Sequence, residues 1–82
     1  MKNRINNNYI YDTVRYNVRK IRKEKGMTQQ QLADASEFSH GYIREIESKK
    51  MASTFSLDAV EKFAIGLEVE FKVLFEEPDS EL

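Results

Sequence analysis

The 82-residue chain carries 13 Lys and Arg against 14 Asp and Glu, with three glycines, one proline and no cysteine. Its length allows one hydrophobic core and no second domain, and without thiols neither a disulfide framework nor a thiolate metal site can stabilise that core. No stretch approaches the roughly 20 apolar residues of a membrane span, and Met1–Tyr11 has no signal-peptide apolar run, so a cytoplasmic protein is expected.

The net charge of −1 is unevenly spread. Met1–Lys25 holds eight Lys or Arg against Asp12 and Glu24, whereas Ser56–Leu82 holds two lysines against eight acids. Such a split either turns one sign toward phosphates or leaves two solvated faces.

In chain order, residues 1–11 read as a polar arm rich in asparagine (Asn3, Asn6, Asn7, Asn8). A helical domain is expected over 12–76 and an acidic tail over 77–82. Tyr11, Val14, Val18 and Ile21 recur at steps of three and four, which predicts a first helix from Asp12 to Lys25. Asp12 near its start and Arg22, Lys23 and Lys25 near its end suit the helix dipole, and Gly26 is placed to stop it with a left-handed cap. Thr28 and Gln31 form a capping box that opens a short second helix ending near Ser36, with Leu32 and Ala33 inward. Ser39 caps a third helix to about Ser48, carrying Ile43 and Ile46 inward. Lys49–Phe55 reads as a loop. Ser56 then opens a fourth helix in which Leu57, Val60, Phe63, Ala64 and Leu67 repeat at helical spacing. A fifth helical segment, Phe71–Glu76, sets Phe71, Leu74 and Phe75 against the core before Pro78 closes the pattern.

Two short helices joined through Glu37 and Phe38 make a helix-turn-helix arrangement. Ala33 supplies the small residue needed where the helices cross. At about 100° per residue, His40, Gly41, Arg44, Glu45 and Ser48 lie away from the Ile43/Ile46 face. That outward set has the form of a reading head for a major groove about 12 Å wide.

At these residues the chain resembles the lambda-repressor-like family of Cro/CI or Xre type. The resemblance rests on Arg22–Ala33 with its Gly-x-Thr-Gln-x-x-Leu-Ala core, on Ser39–Glu47 and on Ser56–Leu67, and it covers roughly Val14–Phe75. It implies an all-α, compact five-helix domain whose third helix reads duplex DNA. It also implies a transcriptional regulator working as a homodimer, with Gln29 on a phosphate and a buried Arg22–Glu47 ion pair. Tyr42, in Tyr42-Ile43-Arg44-Glu45-Ile46-Glu47, is placed as in restriction-modification control proteins. Three positions depart from the family pattern. Glu37 stands where glycine is usual, so either the turn differs or Glu37 takes positive φ. The usual glycine after Glu47 is missing from Ser48-Lys49-Lys50, and the loop that follows is about two residues longer.

The candidate base-reading residues are Ser39, His40, Gly41, Tyr42, Arg44 and Glu45. Arg44 can hold a guanine in two-pronged fashion, or pair with a neighbouring glutamate. Tyr42 reaches a phosphate or a thymine methyl, or packs at the core edge. Glu45 accepts from a cytosine amino group or neutralises Arg44. Candidate phosphate contacts are Gln29, Ser48, Lys49, Lys50 and Arg19. Ile65 lies about 200° from Phe63 and should face outward, forming a dimer patch with Phe71 and Phe75. The lone His40 has no partners for metal binding or catalysis, so no cofactor, no metal, no enzymatic activity and no small-molecule effector are expected. The alternative function is an antitoxin-type module whose acidic carboxyl half neutralises a partner protein.

Overall fold

A computed structural model describes residues 9–48 and 54–77. The arm residues Met1–Asn8, the loop residues Lys49–Ser53 and the tail beyond Glu77 lie outside them. The described residues form four α-helices and one 3-10 helix, with no strand.

Helix α1 spans Tyr9–Glu24 and so begins three residues before the expected Asp12. The earlier turn is held in place: Thr13 Oγ1 donates to the Tyr9 carbonyl at 3.0 Å, and the Tyr9 hydroxyl donates to the Glu77 carboxylate. At the other end Gly26 takes φ 71°, and Met27 N–H closes onto the Arg22 carbonyl at 3.0 Å. A positive φ costs glycine no Cβ clash, so the chain can turn sharply into the next helix.

Helix α2, Gln29–Ser36, starts with both halves of the capping box formed. Gln31 N–H donates to Thr28 Oγ1 at 3.0 Å and Thr28 N–H to Gln31 Oε1 at 2.8 Å. It ends at Glu37, which takes the left-handed conformation at φ 63°, while Phe38 N–H bonds the Ala33 carbonyl at 2.9 Å. The glutamate therefore adopts the conformation of the glycine it replaces. Helix α3, His40–Glu47, follows at once, with Ser39 Oγ accepting from Tyr42 N–H at 3.1 Å. Helix α4, Leu57–Leu67, is capped by Ser56, whose Oγ accepts from Ala59 N–H at 3.1 Å.

The core joins all the elements. Val14 and Val18 of α1, Leu32 and Ala33 of α2, Ile43 and Ile46 of α3, and Val60, Phe63 and Leu67 of α4 are buried together with Leu74. Helices α2 and α4 approach closely at Gly66, where an added Cβ would stand 3.0 Å from Ser36 Cβ and 3.1 Å from Ser36 N. Leu57, expected inside, is 68% exposed. It is the first residue of α4 and lies about 120° round the helix from Phe63, at the edge of the apolar arc.

The expected fifth helix is a 3-10 helix, Phe71–Phe75. Glu68, left-handed at φ 59°, ends α4, and only a few residues remain before Glu76 returns to extended backbone. So short a segment closes i→i+3 bonds more readily than it nucleates an α-helix. Leu74 is buried as expected, Phe75 is half-buried, and Phe71 is 40% exposed rather than set into the core. Asn17 of α1 fastens this turn, its Nδ2 donating to the carbonyls of Leu74 and Glu76 at 2.9 and 2.8 Å.

Candidate nucleic-acid interface

The outward side of α3 is set by its inward side. Ile43 and Ile46 are buried, so a helix of this pitch must present His40, Gly41 and Arg44 to solvent, and all three are exposed; Ser39, the N-cap ahead of the first turn, is exposed as well. Gly41 leaves the surface low there. The Arg44 guanidinium fills that space, its Nη2 3.9 Å from the point where a Cβ on residue 41 would stand. Glu45 and Ser48 sit half-buried at the margins.

Tyr42 is half-buried, and its ring is engaged from below. It lies 4.7 Å from the Phe38 ring and stacks on Phe63 at 6.4 Å. Burial pushes the phenol above its ordinary value of 10.0, Glu45 pushes the same way, and Arg15 opposes. Phe38, Phe63 and Phe55 continue the aromatic cluster under the turn, and the Arg15 guanidinium lies over Phe55 at 5.6 Å. The sequence reading missed this cluster. Its one local signal was Phe38 four residues before Tyr42, across the turn.

The position of α3 relative to α1 and α2 is held by ions. Arg22 Nε and Nη2 donate to the two oxygens of Glu47 at 2.6 and 2.9 Å, with side chains only 9% and 4% exposed. Arg22 Nη1 also donates to the Met27 carbonyl at 2.6 Å. The third guanidinium nitrogen thus ties down the α1–α2 turn, and a two-pronged pair of this kind fixes orientation as well as distance. Gln29, at the first position of α2, donates from Nε2 to Glu47 Oε1 at 3.1 Å. Spacing gave no sign of that contact.

Beside Glu47, α1 contributes a groove lined by Asp12, Arg15, Tyr16, Arg19, Lys20 and Lys23. Arg19, Lys20 and Lys23 are exposed, so the rim of this groove is cationic. Ile65 and Phe71 lie apart from α3 on the outer side of α4 and on the terminal turn, 65% and 40% exposed, and Phe75 packs on Phe71 at 5.1 Å between ring centres. Lys49 and Lys50 fall outside the described residues. Among the described residues no helix is long and apolar enough to cross a membrane.

Two short capped helices, a tight left-handed turn and a polar outer face on the second helix define a helix-turn-helix protein. Residues 18–74 match the helix-turn-helix family, and the chain belongs to it, in its Cro/CI-like branch of DNA-binding regulators. Comparison with curated proteins finds no match.

Solved structures extend the likeness. A hypothetical transcription factor, NHTF, from Neisseria is 28% identical with a TM-score of 0.75, over 84% of this chain and 77% of that one. The restriction-modification controller protein C.Esp1396I is 36% identical with a TM-score of 0.73, over 82% of this chain and 84% of that one. A single-residue mutant of that controller, bound to its highest affinity operator site, is 34% identical with a TM-score of 0.73, over 82% and 86%. The controller C.AhdI from Aeromonas hydrophila is 28% identical with a TM-score of 0.71, over 79% and 96%.

Proposed function

We propose that this protein is a sequence-specific double-stranded DNA-binding transcriptional regulator that reads an operator through the major groove as a homodimer. The observation that carries the reading is the exposed His40, Gly41 and Arg44 face of α3, opposite two buried isoleucines, with the exposed N-cap Ser39 at its start. The likeness to a controller protein solved on its operator supports the same ligand. Contacts to phosphate by Gln29, Arg19, Lys49 and Lys50 supply most of the affinity, and binding therefore weakens steeply with added salt. Ser39 to Glu45 supply the discrimination between sequences. Association through Ile65, Phe71 and Phe75 places two copies of α3 in successive major grooves, about 34 Å apart.

Selection of bound sequences from random duplex DNA tests both halves of the proposal. A two-fold symmetric site with half-sites one helical turn apart is the expected product. Recovery of no preferred sequence would overturn the regulator reading, and recovery of a single asymmetric half-site would overturn the dimer.

A further inference from the structure

The Arg22–Glu47 pair is placed to do more than hold helices together. Glu47 Oε1 accepts from Arg22 Nη2 at 2.9 Å and from Gln29 Nε2 at 3.1 Å, so one buried oxygen links the ion pair to the first residue of α2. We infer that Glu47 is a positioning residue, holding the Gln29 amide in the orientation in which it meets a DNA phosphate. This inference rests on the DNA-binding reading above and concerns how one contact in it is made ready.

The chemistry follows from hydrogen counting. A glutamine amide nitrogen carries two hydrogens. One is taken by Glu47, which leaves the second for a phosphate oxygen. Gln29 itself is only half-buried, so without the carboxylate its side chain would sample several rotamers that docking would then have to freeze. A lone carboxylate at this place would repel the phosphate. Glu47 does not stand alone: its charge is offset by Arg22 at 2.6 Å, so it orients the amide at little electrostatic cost. Arg22 is itself turned inward, bonding Glu47 and the Met27 carbonyl, and so acts through Glu47 rather than on DNA.

The test must separate this role from simple support of the fold. Replacing both partners of a buried ion pair by apolar residues of similar size often leaves a protein as stable or more so. The double variant Arg22→Met, Glu47→Leu leaves no lone buried charge and keeps apolar packing between the helices, while removing the anchor of Gln29 together with the Arg22 bond to the Met27 carbonyl. Loosening of that turn would show as an added loss in the Gln29→Leu background. Its expected behaviour is an unchanged or raised melting temperature with operator affinity lowered about tenfold, the scale of one lost charge-assisted contact. In a Gln29→Leu background the same double change should cost no further affinity, because the contact it serves is already gone.

Nuclear magnetic resonance of the wild-type protein gives an arm that needs no variant to fold. The two Gln29 side-chain amide protons should be well separated, one slow to exchange in free protein and both slow in the operator complex. Wild-type affinity in the folded double variant, additive losses in the Gln29→Leu background, or freely exchanging Gln29 protons would each overturn the inference. If the wild-type protein selects no operator at all, the regulator reading fails instead, and the Gln29 signals of the free protein still report the anchor.

Discussion

Arg44 has the freedom that a base-reading side chain needs. It is exposed, and its guanidinium rests over Gly41 rather than in a buried ion pair. Replacing Arg44 by Ala should weaken binding of the selected operator by about 10- to 100-fold, the worth of one two-pronged base contact. Far-ultraviolet helicity should stay unchanged because the side chain supports no packing. Undiminished affinity in that variant would show that the reading head lies elsewhere. Tyr42 belongs to the same helix but is committed to packing on Phe38 and Phe63. Its raised phenol pKa means that the folded state prefers the neutral ring more strongly than the unfolded chain does. The resulting stability is complete below the ordinary value of 10.0 and is lost as pH rises through the higher folded value. Denaturation of wild-type protein and Tyr42→Phe should accordingly diverge at alkaline pH, the wild type losing more. Parallel curves would show that the ring is not desolvated as described.

At the scale of elements, the turn between α2 and α3 carries a backbone cost. Glu37 at φ 63° is a non-glycine residue in left-handed conformation, which side-chain sterics penalise by roughly 1–2 kcal/mol. Glu37→Gly should therefore stabilise the fold by about 1 kcal/mol after the greater chain entropy of glycine is allowed for. A shift of the urea midpoint to higher concentration would register it, and a lower midpoint would show that the Glu37 side chain has a stabilising role.

The helix starts were readable from residues alone, because Thr28, Ser39 and Ser56 each cap through a local bond whose two partners are three residues apart. The end of α1 was readable for a similar reason, since Gly26 advertises the conformation it takes. Glu37 and Glu68 carry no such mark. Glutamate does not advertise a left-handed backbone as glycine does, so the sequence left the turn open and overstated the last helix. The same division holds for the site. The Ile43 and Ile46 period indicated which side of α3 faces out, whereas the Gln29–Glu47 bond joins residues 18 apart in the chain and no local pattern encodes it.

Across the whole molecule, charge and apolar surface are sorted to different places. Arg19, Lys20 and Lys23 line the α1 groove beside Glu47, while Ile65 and Phe71 stand exposed on α4 and the terminal turn, in the acidic half of the chain. Exposed single apolar residues are common, so association through them calls for a direct measurement. Ile65→Asp should shift the sedimentation coefficient from dimer to monomer without loss of helicity, and operator binding should become non-cooperative and weaker. A variant that still sediments as a dimer would move the interface to another surface.

The Asn17 side chain, bonded to the carbonyls of Leu74 and Glu76, bears on the half-site spacing expected of the proposed dimer. It welds the turn that carries Phe71 and Phe75 to the long helix α1, which Arg22 in turn joins to α3. If two copies pair through Phe71 and Phe75 and read DNA through α3 as proposed, there is no slack between the two surfaces, and the dimer would act as a caliper of fixed jaw width. The distance between its two recognition points is then a property of the protein, and base pairs inserted between half-sites must be absorbed by twisting or bending the duplex.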